Sequence, residues 1–208
     1  MIGLSYLRRR AWRDERAAQL VEFAVALPLL VVFVVGIFDF SNAFTLKQKL
    51  TNIARDAART AAADPSTDLA APAAPLYLPA SISDAVQLVQ NYLSSPNNIN
   101  NCGLTVNSPS STTAAEWTFT AQTTPPPCTL VLIINRGYFF SSGTATQTAN
   151  TNCTSSNAPP AGQTAVVATC VSIQYTYPWQ FGNVVGLLGG TNVLPTTIVG
   201  TAVAVNEN

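Results

Sequence analysis

Glu22 and Asp39 are the only charged residues between Val21 and Leu46. Every other position there is apolar, small or neutral. A carboxylate carried to the centre of a bilayer costs roughly 2.5–3.5 kcal/mol, so each must sit at headgroup level or find a cation. Their chemistry is therefore pairing and positioning. Four cysteines, Cys102, Cys128, Cys153 and Cys170, add a second kind of chemistry. They lack CxxC spacing, and an even number suits disulfides in an oxidising compartment. Three pairings are open. Cys102–Cys128 with Cys153–Cys170 is favoured, because each would join neighbouring segments. The chain has no histidine, which removes Ser-His and Cys-His nucleophiles and the commonest zinc and haem ligand sets. Neither a phosphate-cradling GxxxxGK[ST] loop nor a GxGxxG helix opening occurs. Asp64 and Asp68 read as hydrated acids of a connector, not as calcium ligands. The reading is of a non-enzymatic protein without catalytic residue, metal or cofactor.

The element that positions Glu22 and Asp39 is Leu20 to Phe40, LVEFAVALPLLVVFVVGIFDF. With the residues to Phe44 it makes about 25 mostly apolar positions, enough to cross a ~30 Å hydrocarbon layer as a helix. Arg8, Arg9, Arg10, Arg13 and Arg16 precede it. Such a cluster stays cytoplasmic, so residues from 45 onward are expected outside, with all four cysteines. The apolar run is too long for a cleaved secretory signal and has no small-residue cleavage site after it. Beyond Thr60, Arg136 is the one basic residue against five acids, Asp64, Asp68, Asp84, Glu116 and Glu207, a net of −4. A nucleic-acid surface would need clustered Lys and Arg there, so no nucleic-acid partner is expected.

Four parts follow in order: a basic leader or anchor over 1–17, a long helix over 18–63, a proline-spaced connector over 64–80, and an extracytoplasmic α+β domain over 81–208. The helix divides into a transmembrane half, 18–44, and an amphipathic half, 45–63. Leu46, Leu50, Ile53 and Ala57 form one stripe, opposite Gln48, Asn52, Arg55 and Arg59. Unbroken, residues 18–63 would run ~69 Å, and about half would project beyond the bilayer. Asp64-Pro65 stops the helix. A second helix is predicted from Ser81, with Ser81 as cap and Asp84 as the capping-box acid. Val86, Val89 and Leu93 mark its apolar side, and Ser94-Ser95-Pro96 ends it. The period then becomes two. Trp117 and Phe119 alternate with polar neighbours, Leu130 to Ile134 suits a central strand, and Val171, Ile173, Tyr175 and Tyr177 alternate with Ser172, Gln174 and Thr176. Gly189-Gly190 precedes a β-branched run, Thr196 to Val205. Four or five mostly antiparallel strands are expected. Ser/Thr-rich 107–113 and the low-complexity segment 141–162 interrupt them, and a disulfide from Cys153 would shorten the second.

Val21-Glu22-Phe23-Ala24, Leu27-Pro28-Leu29, Gly36 and Asn52-Ile53-Ala54-Arg55-Asp56-Ala57-Ala58-Arg59 together resemble the N-terminal signature of TadE-like proteins. These are minor pilins, or pseudopilins, of the bacterial tight-adherence (Flp) pilus systems. The resemblance covers roughly residues 16–62. It implies a pilin-like α+β fold and a single-pass inner-membrane protein with a cytoplasmic N-terminus, which reaches the extracellular pilus on assembly. Its implied partners are the membrane, other pilin or pseudopilin subunits, a prepilin peptidase and the inner-membrane assembly platform. The family's cut leaves glutamate fifth in the mature chain, which places it here between Ala17 and Ala18. Ala17 stands where the family usually has glycine.

Two outcomes stay open. A cut chain would present the α-amino group of Ala18, on its own or a neighbouring subunit, to Glu22. That pairing is far stronger in a low-dielectric bundle than in water. Glu22, Phe23 and Pro28 are then the assembly residues. Pro28, which cannot donate to Ala24, would mark where the helix bends on leaving the bilayer. An uncut chain would be a membrane-anchored scaffold of the assembly platform. A membrane-tethered binding module or enzyme is the remaining alternative.

Overall fold

The computed structural model describes residues 15–65, 67, 78–95, 99–107, 109–113, 115–124, 127–141, 151–154, 165–179 and 195–207. The expected leader up to residue 14, most of the connector and Gly189-Gly190 lie outside them. Two compact units are formed, one of Met1–Asn42 with Trp179–Leu194, the other of Ala43–Pro178 with Pro195–Asn208.

Helix α1 runs Glu15–Ala63, with Pro28 inside it. A long apolar run followed by an alanine-rich half, with no glycine pair to interrupt it, sustains it, and Asp64-Pro65 ends it. Its amphipathic half buries Leu50, Ile53, Ala54, Ala57, Ala58, Ala61 and Ala62, while Gln48, Asn52, Arg55 and Arg59 are exposed. The five alanines let backbones approach closely.

Five antiparallel strands form one sheet in the order β1-β2-β3-β4-β5: Ser111–Thr113, Glu116–Thr123, Cys128–Ser141, Ala165–Thr176 and Thr197–Val205. The α+β plan read from periodicity is therefore the observed one. The low-complexity stretch before Glu116 does not merely interrupt the sheet. Three of its residues pair with β2 as an edge strand.

Phe119, Leu132, Ile173 and Gly200 stand in one register row across β2 to β5. Gly200 is where α1 crosses the sheet. A Cβ there would lie 2.5 Å from the Leu50 carbonyl carbon and 2.6 Å from the Thr51 nitrogen. Only glycine permits that approach. Trp117, Leu130, Ile134, Val171, Tyr175 and Ile198 are buried around this row. At roughly 1.5–3 kcal/mol for each large side chain removed from water, this face carries the main core.

The opposite face holds a smaller cluster of Ile133, Tyr138, Cys153, Ala168 and Cys170. Disulfides join Cys102 to Cys128 and Cys153 to Cys170. The second one seats Thr151–Thr154 on this outer face. The Ser172 hydroxyl and Gln174 Nε2 donate to the Thr151 carbonyl, and Asn135 Nδ2 donates to the Cys153 carbonyl at 2.8 Å.

Helix α2 spans Ala80–Ser94 and buries Ser81, Ile82, Ala85, Val86, Val89 and Leu93. Its start corrects the sequence expectation. The cap is Pro79, whose carbonyl accepts from the Ile82 and Ser83 N–H groups, both at 3.0 Å. Ser81 lies in the first turn on the buried side, where it cannot reach back as a cap. The hydroxyl beside Asp84 is that of Ser83, which donates to Asp84 Oδ1 at 3.3 Å and to the Ala80 carbonyl at 2.9 Å.

Candidate membrane helix and the anchoring of its far end

Leu20, Val21, Phe23, Val25, Leu29, Leu30, Phe33, Ile37, Phe38, Phe40 and Phe44 are large apolar side chains exposed on α1. From Ala18 the helix is long and apolar enough to cross a membrane. Exposure of so much apolar surface exceeds what a water-facing helix carries and calls for lipid or another protein surface. Glu22 and Phe23 lie on this exposed surface near its start. Pro28 lies six residues after Glu22, and the helix continues through it. The Ala17–Ala18 bond falls inside α1. The structure thus carries Glu22, Phe23 and Pro28 along a single rod, within two turns of one another.

One strip of the rod is covered. Gly36, Asp39 and Ala43 are buried, following one another at helical spacing, and Val32 before them is half-buried. Asp39 is 3% exposed, although Ile37, Phe38 and Phe40 beside it are 68%, 67% and 53% exposed. Asp39 also makes an interaction within the chain. Next to it, the Phe40 ring meets Trp179 with centroids 5.3 Å apart and planes tilted by 59°. That is a favourable edge-to-face range for two aromatic quadrupoles. Sequence reading placed Asp39 at the membrane exit, but gave no reason for it to be covered.

The other end of α1 is held by a residue that sequence reading left without a role. Arg136 is fully buried on β3. Between the pairs Asn135↔Cys170 and Tyr138↔Ala168, two residues of β3, Arg136 and Gly137, face one of β4, Thr169. This bulge changes the strand's parity, so Ile134 faces the main core while Tyr138 joins the outer cluster. Asn135 Oδ1 stabilises it by accepting from the Gly137 N–H at 2.9 Å. Arg136 Nη2 donates to the Asp64 carbonyl at 2.7 Å, just past the end of α1. The helix has no basic residue in its own last turn, so Arg136 supplies the cation that complements its C-terminal dipole. The Glu207 N–H donates to the Ala62 carbonyl at 3.1 Å, and Asn206 Nδ2 to the Arg136 carbonyl at 3.0 Å. Orphan carbonyls at the helix end are thus met by side chain and backbone together.

Burial raises the carboxyl of Glu116 and the hydroxyl of Tyr175 above their ordinary values. Among the described residues, no three His, Cys, Asp or Glu side chains converge as metal ligands would.

A single apolar helix running on into an α+β body is compatible with a single-pass membrane protein. The family model that matches is that of the TadE-like proteins, over residues 17–59. That segment holds Glu22, Pro28, Asp39 and the start of the alanine-rich half, and the match agrees with the resemblance read from its motifs. It links the helix to a pilus-associated family of structural proteins. No curated protein and no solved structure matches the chain.

Proposed function

We propose that this chain is a structural, non-enzymatic subunit of a tight-adherence (Flp) type pilus system, a minor pilin or pseudopilin. It is held in the inner membrane by the first half of α1 and joins other subunits through that same half. One observation carries the reading: the segment matched by the TadE-like family includes the stretch Leu20 to Phe44, where α1 exposes most of its large apolar side chains. Lipid covers that surface before assembly, and neighbouring helices cover it afterwards. Glu22 then sets register by pairing with the amine freed at Ala18. The α+β body, closed by two disulfides, faces outward as the part other subunits or surfaces meet.

Ala17 favours a second reading, since the family's cut usually follows glycine. On it the chain stays whole and serves as a scaffold of the assembly platform. Mass spectrometry of the protein from sheared pili decides between them. A mature terminus at Ala18 is expected. An intact N-terminus, with the protein retained in membranes and absent from pili, selects the scaffold.

A further inference from the structure

From Gly137 to Asn206 the chain contains no Asp, Glu, Lys or Arg. Its charge is concentrated elsewhere. Beyond Phe44 the cations are Lys47, Lys49, Arg55, Arg59 and Arg136. Arg136 is fully buried, and the others all lie on α1, with Asp56 as the acid among them. The acids beyond Thr60 lie off that helix. The second half of α1 is thus a basic stem attached to an acidic body.

The outward face of the stem is polar throughout. Gln48, Asn52, Arg55 and Arg59 succeed one another at helical spacing, and all are exposed. Arg55 and Arg59 stand one turn apart, where like charges weaken a helix slightly. Among the described residues, no carboxylate answers either guanidinium. The pair therefore does nothing for the chain's own fold.

One described acid is placed to answer it from outside. Asp64 and Glu116 are half-buried. Glu207 is tied to the end of its own α1, where its N–H donates to the Ala62 carbonyl at 3.1 Å. Asp84 is exposed on α2, and Gln87 and Asn91 share its outward side. Arginine with carboxylate and amide with amide are matched donor–acceptor sets. Asp84 to Asn91 spans about 10.5 Å along α2 at 1.5 Å per residue. With the two helices antiparallel, Asp84 set between Arg55 and Arg59 brings Asn91 level with Gln48 and Asn52. Both stripes are exposed in the single chain, so its own α2 does not cover its own α1 stripe.

We propose that the Arg55–Arg59 face of α1 takes the Asp84 face of α2 from a second copy of this chain. The proposal rests on the subunit reading above and adds the contact through which two bodies meet outside the membrane. Confinement to one bilayer raises the effective concentration of the partners, so a small polar contact suffices.

The test uses the full chain carrying Arg59→Lys, which keeps the charge and adds an amine. Chains grown with ordinary and with heavy nitrogen are mixed in detergent and reconstituted in phosphatidylcholine vesicles. A carbodiimide then joins amines to carboxylates, and peptide masses locate the links. A mixed-isotope link between position 59 and Asp84 is expected. Asp84→Asn should abolish it, and raising salt from about 0.05 M to 1 M should lower its yield about threefold or more. In cells, Arg55→Glu with Arg59→Glu should lower recovery in sheared pili about threefold or more, and adding Asp84→Arg should restore it. Links confined to like-isotope pairs place the acid in the same chain and overturn the proposal. Coupling of position 59 to Glu207 or Glu116 in place of Asp84 does so too. Loss of the link when phosphatidylglycerol is added assigns the stripe to anionic headgroups and also overturns it. None of these outcomes touches the subunit reading, which fails instead if the unaltered chain is absent from sheared pili.

Discussion

Arg136 and Asp64 are 72 residues apart in sequence, yet the Arg136 guanidinium donates to the Asp64 carbonyl at 2.7 Å. The bond ties the bulge of β3 to the end of α1. Replacing Arg136 by Met keeps much of the volume but leaves the helix end without its donor. A loss of about 1–3 kcal/mol is expected for such a buried group. Urea titration of the detergent-solubilised chain, followed by circular dichroism, measures it. Unchanged stability would reduce Arg136 to a packing role.

Gly200 meets α1 backbone to backbone. Gly200→Ala adds one methyl against atoms that cannot swing away. The cost expected is about 1–3 kcal/mol from overpacking. Thermal melting should shift down accordingly, and a neutral result would mean that α1 slides readily over β5.

The Cys153–Cys170 bridge closes a sequence separation of 17. Loop-closure entropy gives it roughly 3 kcal/mol. Cys153→Ala with Cys170→Ala should lower stability by about that amount, and hydrogen exchange at Thr151–Thr154 should speed up. Exchange that stays slow there would show that the bonds from Ser172, Gln174 and Asn135 suffice alone.

Glu116 has its carboxyl raised from 4.5 by burial. The folded protein therefore binds its proton more tightly than the unfolded chain does. The associated stability is present below pH 4.5 and declines as pH rises through the raised value. Glu116→Gln should remove this decline and flatten the melting temperature between about pH 4 and 7 relative to the parent. Parallel curves for the two proteins would assign the slope to other groups.

Glu22→Ala should leave membrane insertion intact and lower recovery of the protein in sheared pili, by roughly tenfold if the register pairing contributes about 1.4 kcal/mol. Pro28→Ala restores a backbone donor inside α1. It should change pilus recovery without changing insertion. Immunoblots of membrane and pilus fractions read both, and equal recovery for Glu22→Ala would remove that residue from assembly.

Local pattern made much of the fold legible. The stripe from Leu50 to Ala57 and the alternation of Trp117 with Phe119 follow from periods of 3.6 and 2, which depend only on neighbouring residues. Ser81 misled because a capping motif reads the same whether it precedes a helix or lies in its first turn. Pro79 decided the matter by offering a carbonyl without an N–H of its own. The role of Arg136 was illegible for a different reason. It depends on one extra residue in β3 and on a carbonyl far away in the chain, and neither leaves a local trace. Asp39 lies between these cases. Its place at the end of the apolar run was readable, whereas its covering by the rest of the chain was not.

The neutrality of Gly137 to Asn206 bears on more than the contact between α1 and α2. The surfaces of β4 and β5 offer mobile ions nothing to screen. Contacts made through those strands should hold equally in dilute buffer and at about 1 M salt, where the Debye length falls to roughly 3 Å. An appendage built on such faces would keep its grip while the ionic strength around the cell rises and falls.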